Sequence, residues 1–419
     1  MSAERADAQP ELLLKGGHVV DPGNGRNGPL DVAVAGGKIV RVGPSLPAAD
    51  AAQVIDVTGY YVTPGIIDMH AHVTTSHRRS HLPVPPQLHT FTCGVTTVVD
   101  AGTVGWKDFL AFKEEVIDRS KIRIFAFVNI VGQGMVGAPE QDVSEMSPRL
   151  AAAIALEYPD VVVGIKAAHY WTREPFDDAH PIWASVDRAV EAGELCQKPV
   201  MVDFWPRPPE RSYPDLILKH LRPGDIHTHV FAQQFPVLDE RGKVSEFMYG
   251  ARERGVIFDL GHGAGSFWFR NAVPAIQQGF VPDSISTDLH TGSINGPVFD
   301  MLTCMNKMLN MGVPLEDVIA RSTVAPAREI GHPELGTLSV GADADVAVLK
   351  LETGSFPYVD CGRAKLIGDR QLRCALTLRA GQIVYNRDGL GLPEWQDAPD
   401  PYWWDPGQKR STRPQSRLG

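Results

Sequence analysis

The sequence predicts an α/β protein: a (β/α)8 TIM barrel with a small β-sandwich domain assembled from both chain ends. Two observations predict this fold class. Residues 12–62 and 335–387 contain only strand-like runs and turns, whereas residues 63–330 alternate apolar, β-branched runs with helix-like runs. We therefore expect four segments: 1–62 and 331–390 as the two parts of the sandwich, 63–330 as the barrel, and 391–419 as a Trp- and Pro-rich tail.

Each end of the chain has short apolar runs separated by turns. LLLKGGHVVD, DVAVAGGKIVRVG and AQVIDVTGYYVT stand near the beginning, and ADADVAVLKLE and LRCALTLRAGQIVYN stand near the end. Gly-Gly pairs at 16–17 and 36–37 predict hairpin reversals. The similarity of the two ends favours one β-domain built from both, with two unrelated β-extensions as the alternative.

Eight strand candidates fill the middle of the chain. They are PGIIDMHAH (64–72), GVTTVVDAG (94–102), IRIFAFVNI (122–130), VVVGIKAA (161–168), PVMVDFW (199–205), DIHTHVF (225–231), VIFDLGHG (256–263) and SISTDL (284–289). Helix-like runs accompany them, for example at 184–197 and 296–312. Such alternation is typical of a (β/α)8 barrel. A doubly wound open sheet competes with it, but no Gly-x-Gly-x-x-Gly follows the first strand.

Composition excludes several classes of function. The 419 residues have a net charge of -10 and no long basic block, so nucleic acid is not expected as a partner. Five scattered cysteines without a Cys-x-x-Cys pair fit the reducing cytoplasm. The start MSAERADAQPE lacks a signal-like apolar stretch, and no apolar run is long enough for a membrane. We expect a small-molecule substrate and a homo-oligomer, with Trp403 and Trp404 packing on a neighbouring surface or subunit.

In such barrels the active site lies at the carboxyl ends of the strands. The first candidate strand ends in His70 and His72, which project to one face and can reach one metal ion. Taken alone, the pair fits core histidines equally well. The sixth candidate has the same spacing in His227 and His229, and the eighth ends in Asp288. An aspartate there can bind a metal and accept a proton.

The fourth candidate strand ends in Lys166, inside an otherwise apolar run. A lysine in this position must snorkel, pair with a carboxylate, or lose its charge. Burial lowers the pKa of an amine, and a neutral amine can react with carbon dioxide to form a carbamate. A buried Lys–Asp ion pair is the alternative.

Taken together in this order, the strand ends resemble the amidohydrolase superfamily. The likeness rests on PGIIDMHAH, GIK at 164–166, THVF around His229 and STD at 286–288, and it covers roughly 12–390. LRPGDIHTHVF, DLGHGAGSF and ISTDLH are most similar to its dihydroorotase-related amidohydrolase/deacetylase branch. The resemblance implies two divalent metal ions, usually zinc with manganese possible, bridged by a hydroxide and by N6-carboxylysine at Lys166. It places the ligands at His70, His72, Lys166, His229 and Asp288.

One position departs from the pattern of this branch. Its fifth strand normally ends with a histidine that binds the second metal, and here Asp203 stands instead. Three interpretations stay open: Asp203 is an oxygen ligand, His227 supplies the missing nitrogen, or the second metal is weak or lost and Asp203 orients His227. The expected bridging role of Lys166 favours two metals with Asp203 as a ligand.

Five further residues at or after strand ends are substrate-binding candidates: His169, Trp171, Trp205, His262 and His290. The tryptophans, with their aromatic neighbours, would form a wall suited to a flat or apolar group, unless they only pack barrel against loops. Asp100, which ends the second strand, is best explained by a structural role.

We therefore expect a metal-dependent hydrolase that cleaves an amide or ester bond of a small molecule, as a deacetylase does. The metal-bridging hydroxide would attack the carbonyl, and Asp288 would pass the proton to the leaving group. Hydrolysis of a cyclic amide, as by dihydroorotase or hydantoinase, is the first alternative. A deaminase with one metal and a non-catalytic scaffold are the others, and the presence of Lys166 argues against the deaminase.

Overall fold

The computed structural model describes residues 9–74, 80 and 82–398. Five strands come first: β1 (Leu12–Asp21), β2 (Arg26–Ala35), β3 (Lys38–Gly43), β4 (Gln53–Asp56) and β5 (Tyr61–Pro64). The hairpin predicted at 36–37 is confirmed, since Gly36 and Gly37, both at positive φ, connect β2 to β3. The hairpin predicted at 16–17 is wrong. This pair lies inside β1 at a shift in its register with β2, which makes it a bulge.

The predicted barrel is confirmed. Seven parallel strands form a sheet in chain order: β6 (Ile66–Ala71), β7 (Val95–Gly105), β8 (Arg123–Asn129), β9 (Val162–Ala167), β10 (Val200–Val202), β11 (Ile226–His227) and β12 (Ile257–Phe258). The eighth candidate, 284–289, makes parallel bridges from Ser284 to Asp259 and from Leu289 to Ala71. Because it pairs with both ends of the seven-stranded sheet, it closes the ring.

Nine α-helices occur in the described residues: α1 (Phe109–Phe112), α2 (Pro148–Glu157), α3 (Ala184–Cys196), α4 (Tyr213–Asp215), α5 (Glu246–Glu253), α6 (Phe269–Gln277), α7 (Met301–Asn310), α8 (Leu315–Ala320) and α9 (Val324–Glu329). Helices α1 and α4 continue into π-helical turns. The helix predicted at 296–312 begins only at Met301, because the Asp300 side chain caps it by accepting a hydrogen bond from Thr303 N (2.8 Å).

Three strands follow the barrel: β13 (Val346–Val359), β14 (Lys365–Arg379) and β15 (Gln382–Asn386). They join the first five in one sheet in the order β15-β14-β13-β5-β1-β2-β3, with β4 beside β1. The sheet curls, so that the turn at Gly37 meets the turn at Ala380 and Gly381. A Cβ on Gly37 would lie 2.9 Å from Ala380 O. Both chain ends therefore build one β-domain. Trp403 and Trp404 lie outside the described residues.

An apolar layer fills the barrel beneath its carboxyl end. It includes Ile67 and Met69 of β6, whereas Ile66 and Ala71 belong to the cluster outside the strands. Strict alternation would then send His70 outward. The register between β6 and β7 shifts between Asp68 and Ala71, and this irregularity turns His70 and His72 inward, above the apolar layer.

Candidate metal centre

Three buried side chains converge at the carboxyl end of the barrel: His70, His72 and Asp288. Their ligand atoms all lie within 4.8 Å of one another. Asp288 Oδ1 is 3.1 Å from His72 Nε2 and 3.6 Å from His70 Nε2. The backbone fixes this approach, because Asp288 N donates a hydrogen bond to His70 O (2.6 Å). The first and last strand positions of the ring therefore supply one potential set of metal ligands.

Lys166 lies beside this cluster and is buried. Its Nζ is 3.4 Å from His70 Nε2. Burial lowers the pKa of Lys166, against the opposing pull of Asp203 and Asp288. Among the residues that the structure describes, no carboxylate forms an ion pair with this amine. The geometry thus gives no support to the buried Lys–Asp pair, and burial makes the neutral amine easier to reach than it is in water.

Asp203 and His229 lie on the other side of His70. The His70 and His229 rings are 5.0 Å apart, and Asp203 Oδ2 is 3.6 Å from His229 Nε2. The same oxygen accepts a 2.6 Å hydrogen bond from His169 Nδ1. Asp203 raises the pKa of His169 to about 9. Burial opposes the ionisation of Asp203, but His169 and His229 outweigh it and hold the pKa of Asp203 well below its usual range.

Two of the converging residues have left-handed backbones: φ is 64° at His229 and 48° at Asp288. Residues other than glycine seldom adopt this conformation, and it is concentrated at functional sites. Gly261 and Gly263 make the close approach possible. A Cβ on Gly261 would lie 2.8 Å from His229 Nδ1, and one on Gly263 would lie 2.4 Å from Asp288 Oδ2. The glycines of DLGHGAG therefore make room for the converging side chains.

The structure does not bring His227 to this cluster. Ile226 belongs to the apolar layer inside the barrel, so His227 points outward. Its ring packs 5.1 Å from that of Tyr213 and 4.8 Å from that of Phe235, and neither ring nitrogen has a hydrogen-bond partner among the described residues. Burial lowers the pKa of His227 to about 3. The structure therefore places His227 away from the position that the prediction of a metal ligand or a partner of Asp203 requires.

The substrate-binding candidates divide into two groups. His169 is half-exposed beside Asp203, and the His290 ring lies 6.1 Å from that of His72. Trp205 is 38% exposed and lines a groove of about 460 Å³. Trp171, in contrast, is fully buried, and its indole N–H donates to Gln141 O (3.2 Å). Trp171 therefore presents no surface to a substrate, and the structure does not bring it into the predicted aromatic wall.

His262 is also fully buried, and both of its ring nitrogens are in use. Nδ1 contacts Gly263 O (3.0 Å), and Nε2 contacts Lys307 Nζ (2.6 Å). The structure therefore leaves no free ring nitrogen of His262 for the substrate bond that the sequence predicted. Lys307 was not predicted to be functional. Burial lowers the pKa of Lys307 to about 8. In the sequence, this lysine stands among the apolar residues of helix α7, so no pattern singles it out.

Two threonines contact the ring nitrogens that face away from the cluster, and an aspartate stands behind each of them. Thr103 Oγ1 lies 2.8 Å from His72 Nδ1, and Thr228 Oγ1 lies 2.9 Å from His70 Nδ1. Behind them, the Asp100 side chain accepts from Thr103 and the Asp259 side chain accepts from Thr228. The sequence suggested a structural role for Asp100 but gave no reason to select the two threonines.

The donor set fits a divalent metal ion. Imidazole nitrogens and carboxylate oxygens are ordinary zinc and manganese ligands. The Nε2 atoms of His70 and His72 face Asp288, while their Nδ1 atoms contact threonine hydroxyls. The unpaired Lys166 amine lies next to these donors.

Comparison with known proteins points to one family. A model of the amidohydrolase family matches residues 269–384. A deacetylase of Enterococcus faecalis is 32% identical over 380 residues, covering 90% of this chain and 99% of that protein. A deacetylase of Agrobacterium fabrum is 33% identical over 368 residues, covering 84% of this chain and 86% of that protein.

Solved structures of two enzymes superpose on most of this chain. An adenine deaminase superposes with a TM-score of 0.80 at 30% identity, covering 90% of this chain and 100% of that chain. A dihydroorotase superposes with a TM-score of 0.75 at 28% identity, covering 90% and 99%. Within the described part of the chain, the helices are too short or too polar to cross a bilayer.

Proposed function

The chain belongs to the amidohydrolase family, and from this premise we propose that it removes an acyl group, such as acetyl, from a small amide or ester. One observation supports this most: His70, His72, Asp288 and Lys166 meet at the carboxyl end of the barrel. The two deacetylases match this chain over most of their length, which favours acyl transfer to water over the other reactions of the family.

We propose that His70, His72 and Asp288 hold one metal, and that Asp203 and His229 hold a second. Zinc suits these donors, and manganese is the other candidate. Lys166 would join the two sites as N6-carboxylysine: its neutral amine adds to carbon dioxide, forms an N–C bond and releases one proton. The metals, when bound, polarise the substrate carbonyl and activate water for attack.

Asp288 is the proposed proton carrier. Its side chain is about one-eighth exposed, so a substrate can reach it. Burial disfavours its charge, but His72 and His229 outweigh burial and lower the pKa of Asp288. The carboxylate is therefore ionised at neutral pH and ready to take a proton from the attacking water. It then delivers that proton to the leaving amine or alcohol.

His169 and His290 flank this centre on two sides and are proposed to contact the substrate, together with Trp205. A cyclic amide is the second candidate substrate, and the superposition on a dihydroorotase favours it. The five free cysteines fit a cytoplasmic location.

The proposal is tested by incubating zinc- or manganese-loaded protein with N-acetyl and O-acetyl compounds, cyclic amides and adenine. We expect release of acetate, and a loss of kcat in Asp288→Asn of about 100- to 10,000-fold. Metal content is measured in parallel, because Asp288 is also a proposed ligand. Release of ammonia from adenine alone would contradict the proposal, and so would unchanged turnover by Asp288→Asn.

A further inference from the structure

Two threonine–aspartate pairs stand behind the histidines of the metal centre. We propose that Thr103 with Asp100, and Thr228 with Asp259, are positioning residues that fix the tautomers of His72 and His70. This inference rests on the proposed function only in assuming that the two histidines bind metal. Its consequence is that Thr103 and Thr228 set the affinity of the protein for metal without touching the metal.

The first pair determines the proton on His72. Asp100 accepts three hydrogen bonds: Oδ1 from Thr103 N (2.8 Å), and Oδ2 from Thr103 Oγ1 (2.9 Å) and from Val73 N (2.9 Å). A hydroxyl has one proton, and Thr103 uses it in the hydrogen bond to the Asp100 carboxylate. Thr103 Oγ1 can therefore only accept from His72 Nδ1, at 2.8 Å. His72 thus carries a proton on Nδ1, and in the neutral form that would bind metal its lone pair is on Nε2.

The second pair does the same for His70. Asp259 Oδ2 accepts from Thr228 Oγ1 (2.7 Å) and from Ser286 Oγ (2.8 Å), and Oδ1 accepts from Ser284 Oγ (3.1 Å). The Thr228 hydroxyl uses its one proton in the hydrogen bond to Asp259, so it accepts from His70 Nδ1 at 2.9 Å. Asp259 Oδ2 lies 3.5 Å from the same nitrogen, which makes the hydroxyl its nearer partner.

The two pairs are alike in chemistry but come from different parts of the barrel. Thr103 and Asp100 belong to β7, next to β6. Thr228 follows β11 and Asp259 follows β12, so this pair reaches His70 across the ring. All four side chains are almost fully buried, where water cannot replace a lost hydrogen bond. Each pair therefore fixes both the ring orientation and the tautomer of one histidine.

The experiment measures zinc affinity of metal-free protein by competition with a chelator. In Thr103→Val and Thr228→Val, which keep the shape and remove the hydroxyl, we expect affinity to fall by about 10- to 100-fold. Thr103→Ser and Thr228→Ser should restore most of it. Thr377→Val is the matched control: Thr377 is equally buried, donates to Phe91 O (2.7 Å) and belongs to β14 of the β-domain.

Wild-type affinity in both valine variants would overturn the inference, and so would an equal loss in Thr377→Val. If the valine variants do not fold, histidine tautomers are read instead by nitrogen NMR of the metal-free wild-type protein. Nδ1 atoms of His70 and His72 that carry no proton would then refute the proposal, because the threonine hydroxyls could not accept from them. Failure of the proposed function looks different, since it would leave no acyl substrate turned over while the changes in zinc affinity persist.

Discussion

Gly263 offers a direct test of how closely the glycine turn supports the proposed proton carrier. In Gly263→Ala, the new Cβ would stand 2.4 Å from Asp288 Oδ2, and Cβ atoms in proteins essentially never come within 3.0 Å of another heavy atom in this way. The carboxylate would have to move by roughly 1 Å to regain an ordinary contact. A displacement of this size at a reacting group costs on the order of 100-fold in rate. We therefore expect kcat/KM to fall by about 100-fold.

The same substitution should also lower stability. Gly263 has a φ of 54°, and alanine in the left-handed region costs about 1–2 kcal/mol. The free energy of unfolding is measured in urea, and kcat/KM is measured on the substrate that the proposed incubation with acetyl compounds identifies. Gly265→Ala is the matched control, because a Cβ at Gly265 would meet no atom within 4 Å and the φ there is not left-handed. Full activity in Gly263→Ala, or an equal loss in Gly265→Ala, would refute the reasoning.

Two further predictions concern buried lysines. Lys166→Met should bind fewer metal ions per chain by elemental analysis and should lose the carbamate signal seen by NMR under isotope-labelled carbon dioxide; an unchanged metal count would contradict a joint ligand at Lys166. The pKa of Lys307 is lowered to about 8 from 10.5, so the unfolded chain binds more protons between these values and the stability contributed at this position rises with pH across them. Lys307→Met should therefore flatten the dependence of unfolding free energy on pH between 8 and 10, and a parallel pH dependence in both proteins would exclude this role.

The sequence was sufficient for the barrel because each strand has its own apolar, β-branched run. It also located His70, His72 and Asp288, since strand ends in a barrel face a common space. Side-chain direction was harder to predict. His227 and His229 have the spacing of one strand face, but β11 ends at His227 and the left-handed backbone of His229 changes the alternation.

The residues behind the metal-site histidines could not be predicted from the sequence, for a different reason. Thr228 and Asp259 are 31 positions apart, and Thr228 meets His70 from 158 positions away. No local pattern encodes such contacts, because they depend on the closure of the ring. The bulge at Gly16 and Gly17 was missed in the same way: a Gly-Gly pair permits a turn or a bulge, and pairing with β2 decides between them.

The curled sheet also has a consequence for biosynthesis. Thr63 of β5 pairs with Ala347 of β13, which is 284 residues further along the chain. On the ribosome, β1 to β5 must wait with one edge of β5 unpaired until the whole barrel has been made. Contacts of such sequence separation fold slowly. The barrel and its sheet are thus one unit of assembly, and trimming either end of the chain would leave the opposite end without its partner strands.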